Sequence, residues 1–111
     1  MGYDLHITRA ENWSDNDQWE IGANEWLAIV LADPDLELFP ENGPYCAEWT
    51  VDGLAPGYNP WLDWWRGNIF TKYPIGRAFL AKMLEVAQRL DAKVQGDEGE
   101  FYSSPEEIPD L

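Results

Sequence analysis

Residues 61–72 read Trp61-Leu62-Asp63-Trp64-Trp65-Arg66-Gly67-Asn68-Ile69-Phe70-Thr71-Lys72. Two runs rich in aromatic and β-branched side chains flank Arg66-Gly67, and Gly67 permits the positive φ that a tight hairpin turn demands. A two-residue turn sets Trp65 opposite Asn68 and Trp64 opposite Ile69. Strand alternation then sends Trp64 to the face opposite Trp61 and Trp65. A hairpin at the middle of the chain commits the fold to antiparallel pairing.

Downstream, Pro74 opens a helix over about residues 75–91. Phe79, Met83, Val86, Ala87 and Leu90 form its apolar stripe, and Arg77, Lys82, Glu85 and Arg89 its wet side. A strand is expected at 92–95, a turn at Gly96-Asp97-Glu98-Gly99, and a return through Glu100-Phe101-Tyr102. Upstream, 52–60 holds two Gly and two Pro and is a loop. Residues 45–51 read as a strand, with Cys46 and Glu48 facing opposite to Ala47 and Trp49. Glu41-Asn42-Gly43-Pro44 is a turn, and 36–39 a short strand. Residues 21–33 read as a helix with Gly22 as N-cap, Glu25 in its first turn, and Trp26, Leu27, Val30 and Leu31 at helical spacing. Pro34 stops it. Residues 11–20 are a polar loop with Trp13 and Trp19 as aromatic anchors. Tyr3–Arg9 alternates Tyr3, Leu5 and Ile7 against Asp4, His6 and Thr8, the period of a half-buried strand.

The order predicts an α+β fold: a mostly antiparallel sheet of about four to six strands with two helices packed on one face. The 111 residues fit one domain, expected over 1–102, with 103–111 as a loosely held acidic tail. Seven Trp, five Tyr and four Phe supply ample area for a core. Cys46 is the only cysteine, so no internal disulfide forms, and a cytoplasmic location is expected. The first residues lack the pattern of a secretory signal, and His6 stands where a myristoylation signal wants Ser or Thr. No apolar stretch approaches the roughly 20 residues of a membrane span.

Charge is the informative quantity. The chain holds 21 acids against 7 bases, a net charge of −14. Such a field repels nucleic acid and anionic membrane and speeds encounter with basic proteins. The charges are also segregated. From Ala10 to Trp65 there are twelve acids and no base, 66–93 carry six bases against two acids, and 94–111 carry six acids alone. The segregation predicts a directional negative surface.

No catalytic constellation is visible. His6 is the lone histidine, with no sequence-evident partner to orient it as a base. Its ordinary reading is a polar strand residue, exposed or bonded to backbone. Cys46 reads as a small buried hydrophobe. Carboxylate pairs such as Asp15/Asp17 arise by chance among so many acids. Gly96-Asp97-Glu98-Gly99-Glu100 lacks the ligand spacing of a calcium loop, so no metal or cofactor is expected. A carboxylate enzyme remains the alternative, in which Asp4, His6 and Asp63 would converge in a cleft. Trp61, Trp64 and Trp65 offer either core or an exposed hot spot.

Several stretches together resemble a family of small acidic bacterial proteins. They are Tyr3-Asp4-Leu5-His6-Ile7-Thr8-Arg9-Ala10 with Trp13, Glu25-Trp26-Leu27, Arg66-Gly67-Asn68-Ile69, Lys82-Met83, and Val94–Glu100 with Tyr102. The family resembles the immunity proteins encoded beside polymorphic, contact-delivered toxins. The resemblance implies a non-catalytic protein that neutralises a cognate toxin by binding it. Charge implies a basic partner surface, met through Asp33, Asp35, Glu37, Glu41, Glu48 and Asp63 with Trp61 and Trp65 as anchors. A regulatory module or nucleic-acid mimic without a toxin is the competing reading. A monomer or weak homodimer is the default expectation.

Overall fold

The computed structural model describes residues 3–54, 56–73 and 75–109. Pro74, expected to open the second helix, lies outside them, as do Met1 and Gly2 and the last two residues of the tail.

The hairpin forms as its sequence dictates. Strands β4 (Trp61–Trp65) and β5 (Asn68–Tyr73) pair antiparallel, with Trp65 opposite Asn68 and Trp64 opposite Ile69. Arg66 and Gly67 both take positive φ, 48° and 90°, the backbone of a turn whose twist matches that of the strands. Around the hairpin lie β1 (Tyr3–Thr8), β2 (Leu36–Leu38), β3 (Ala47–Trp49), β6 (Lys93–Gly96) and β7 (Phe101–Tyr102). They make one seven-stranded sheet in the order β2-β3-β4-β5-β1-β6-β7, with every pairing antiparallel. The short β2 and β7 at the two edges carry the count past four to six.

Helices α1 (Ala23–Ala32) and α2 (Arg77–Arg89) supply the second layer. Alternate strand residues Leu5, Ile7, Leu62, Ile69 and Val94 form one buried cluster with Trp26 and Val30 of α1 and Phe79, Leu80, Met83 and Val86 of α2. Trp64 also turns to this side, where its indole N–H donates to the Ile21 carbonyl at 2.8 Å. Glu25 holds the start of α1, accepting the Gly22 N–H at 2.8 Å and pairing with Arg9 at 2.7 Å. Arg9 in turn donates through Nε to the Leu90 carbonyl just past α2, so one side chain ties β1 to both helix ends.

Four expectations need correction. Lys82, assigned to the wet side of α2, is 8 % exposed and bonds Asp33 at 2.5 Å. Leu31, spaced with the apolar set of α1, is 80 % exposed, while Trp26 and Val30 are buried, so the core-facing stripe of the helix is narrower than its spacing predicts. Trp19 is likewise exposed and anchors nothing in the core. The described part of the tail is docked rather than loose. Ile108 is buried, Arg77 Nε donates to its carbonyl at 2.8 Å, and Ser104 caps a single turn at Pro105–Glu107. No helix among the described residues is long and apolar enough to cross a membrane. The radius of gyration, 13.0 Å, is that of a compact domain of this length.

Candidate functional site

The helices cover one face of the sheet, so the other face displays the opposite alternation set. Cross-strand register arranges that set in two rows. In the first, Glu37 stands opposite Glu48, and Glu48 opposite Trp61. In the second, Asp63 stands opposite Phe70, Phe70 opposite His6, and His6 opposite Gln95. Trp65, beyond Asp63 on the same strand and side, is 59 % exposed. Trp61 and Phe70 meet edge to face, ring centroids 5.7 Å apart, which holds both rings in place.

Of the sequence-selected residues, Glu37, Glu48, Trp61, Asp63 and Trp65 are therefore brought together on one face. Glu41 is exposed on the neighbouring turn Pro40–Asn42. Asp33 and Asp35 are not part of the group. Asp35 follows the end of α1 and bonds Thr50 through its carbonyl. Asp33 is 6 % exposed and accepts from Lys82 and Arg89, both of α2. Burial works to raise its carboxyl, but the Lys82 hydrogen bond, the Asp35 N–H and the two cations outweigh burial and hold it below its ordinary value.

The face concentrates uncompensated charge. Glu37, Glu48 and Asp63 have no ion pair with any described cation. Two glutamates directly opposite each other on paired strands repel. Burial pushes the Asp63 carboxyl above its ordinary range, and the Trp64 N–H offsets this only in part. Cys46 lies next to this group, in a depression it shares with Asn42, Trp61 and Asp63. Burial, then the nearby Asp63 and Glu48 charges, push its thiol up to about 11, so it stays protonated and unreactive at neutral pH.

At the other end of the face, chain segments distant in sequence converge on His6. Its ring is 5 % exposed and stacks on Trp13, centroids 4.1 Å apart and planes within 3°. Asn68 Nδ2 donates to the Trp65 carbonyl at 2.8 Å, so Asn68 Oδ1 is the atom that meets His6 Nδ1 at 2.9 Å. His6 Nε2 lies 2.7 Å from Asp97 Oδ1, while Asp97 Oδ2 accepts the Asp4 N–H. The Trp13 indole N–H donates to the Asp97 carbonyl. Gln95, fully buried, accepts from Trp13 N–H and donates to the Glu11 and Gly99 carbonyls. Next to it, the Tyr3 hydroxyl bonds Glu100 directly over Gly96, where a Cβ would collide with both.

His6 is thus buried and bonded to two side chains, neither exposed nor bonded to backbone. Asp4, His6 and Asp97 each offer one ligand atom within 4.8 Å of the others, a set able to hold a metal ion. Asp63 does not join them, because strand β5 and the Phe70 ring stand between. The sequence groups Asp4 and His6 but with Asp63 as their third member, whereas the third member is Asp97. Asp97 and Asn68 lie 91 and 62 positions from His6, and Gln95 lies 82 from Trp13, and only the alternation of Asp4 with His6 points toward the cluster. Searches against family models, curated proteins and solved structures find no match.

Proposed function

We propose that this protein acts by binding a basic protein, without catalysis, and that it is an immunity protein whose partner is a bacterial toxin domain. The supporting observation is the helix-free sheet face. There Trp61, Trp65 and Phe70 are interleaved with Glu37, Glu48 and Asp63, carboxylates with no described cation to neutralise them. The Arg66 guanidinium lies over the Trp65 ring, 5.1 Å from its centroid, so the negative part of the face is the group of Glu37, Glu48 and Asp63 around Trp61, whose repulsions are relieved when a cationic surface docks. Toxins that cut nucleic acid carry basic active-site surfaces, and a negative face of this kind would block one by occupying it. Arginines of such a partner would meet the carboxylates in paired hydrogen bonds.

The test is affinity capture from the native cell with the intact protein and with a Trp61→Ala/Trp65→Ala variant. One basic protein held by the wild type, released by salt and inhibited in its own activity is the expected result. The variant should hold it at least about tenfold more weakly, the effect of losing interface anchors. Equal retention by both, or a captured protein whose activity persists in the complex, refutes the reading.

A further inference from the structure

We infer that Asp4, His6 and Asp97 form a binding site for one divalent transition-metal ion of the Zn²⁺ type, at the end of the open sheet face away from Glu37 and Glu48. Asn68 is fixed by its bond to the Trp65 carbonyl, so its Oδ1 accepts a proton from His6 Nδ1. In the neutral ring the lone pair therefore sits on Nε2, and Nε2 points at Asp97 Oδ1, 2.7 Å away. Two acceptors at that separation repel unless a cation lies between them. The cation is either a proton, giving an imidazolium, or a metal ion.

Three features favour the metal. Asp4 Oδ1 completes the set, since the three ligand atoms lie within 4.8 Å of one another. That oxygen is shielded from solvent and, among the described residues, accepts no hydrogen bond and has one cation near it, Lys72 Nζ at 3.6 Å. A proton on His6 would leave it as it is, whereas a metal ion would coordinate it. The ligands are also held from behind. Nδ1–H is donated to an amide oxygen, Trp13 fixes the ring plane, and Asp97 Oδ2 is held by the Asp4 N–H. Metal-binding histidines have this support: the second ring nitrogen is bonded, which sets tautomer and orientation.

Ligand type narrows the ion. One imidazole with two carboxylates suits zinc and its neighbours, while calcium and magnesium take all-oxygen sets. Bonds of about 2.0–2.2 Å put adjacent ligands of one metal roughly 3 Å or more apart. Tetrahedral coordination sets that separation at about 3.3 Å or more, so the His6–Asp97 contact, 2.7 Å here, must widen by about 0.6 Å. Asp97 begins a tight turn between β6 and β7 and is itself partly exposed, so the move falls on a short external segment.

Calorimetric titration of the chelator-treated full chain with Zn²⁺ at pH 7.5 tests the site. The expected result is a single binding event per chain, with a raised thermal midpoint. Asp4→Asn keeps the backbone N–H that Asp97 uses and removes only the free ligand oxygen; it should weaken binding at least about tenfold. Asp97→Asn should weaken it too. Co²⁺ in place of Zn²⁺ should give a visible spectrum that Asp4→Asn alters. Lowering the pH should release the ion, because His6 must be unprotonated to bind it. No one-to-one binding event, or one of undiminished strength in both variants, overturns the inference. So does weak uptake of several ions per chain, which marks the acidic surface instead.

Discussion

Asp63 and Asp33 are both aspartates in the same cation-free stretch of sequence, and the fold treats them in opposite ways. Burial raises Asp63, and only the Trp64 N–H works against it. A carboxyl raised in the folded state binds its proton more tightly there than in the unfolded chain. It therefore costs stability once the pH rises through its folded value. Asp63→Asn should make the protein slightly more stable at pH 7, by no more than about 0.5 kcal/mol for a partly exposed charge, as read from urea unfolding. The same change should weaken partner binding, and wild-type binding should fade on acidification at a higher pH than an ordinary aspartate would give. A clear loss of stability in Asp63→Asn would mean that its charge serves the fold instead.

Asp33 belongs to the scale of elements, since it joins α1 to α2. It sits just past Ala32 and receives Lys82 and Arg89 from the facing helix at 2.5 and 3.0 Å. Lys82 is raised from its ordinary 10.5: burial lowers it, but hydrogen bonds and charge from Asp33 and Glu85 prevail. Removing one member strands a buried charge, so Asp33→Asn should cost about 3 kcal/mol at pH 7. The depressed carboxyl contributes above its ordinary 3.8, and that contribution is lost as pH falls through the lower folded value. The gap between wild type and Asp33→Asn should thus be full near pH 6 and close below about pH 4. The raised lysine loses its share only above pH 10.5. Chemical unfolding at several pH values reads both limbs, and a gap that stays constant with pH would contradict the ion-pair account.

For the whole molecule, what matters is how the −14 charge is distributed. Glu25 pairs with Arg9 at the surface, and Asp33 pairs with Lys82 and Arg89 in the interior. The other ten acids between Ala10 and Trp65 have no described ion pair. Reversing Glu41, Glu48 and Asp63 to Lys should therefore slow association with a basic partner by about tenfold or more at low salt, and the difference should shrink as salt rises. Stopped-flow rates across a salt series measure this, with the melting temperature as a control for folding. An unchanged on-rate would remove steering from the account while leaving the aromatic anchors in place.

Local chemistry along the chain determined the elements. The hairpin register followed from two apolar runs around Arg66-Gly67, α1 from Gly22, Glu25 and Pro34, and the α2 core stripe from its 3.6-residue period. Alternation alone also separated Trp64 from Trp61 and Trp65, because a pleated strand permits nothing else. Long-range pairing decided the rest. Helical spacing marks Lys82 as polar without revealing that Asp33 waits across the interface. Nor does it reveal that Leu31 falls outside the stripe that Trp26 and Val30 bury. The His6 cluster draws on β1, β5, the Trp13 segment and the β6–β7 turn. No periodicity links such positions, since their proximity comes from the order in which the strands assemble.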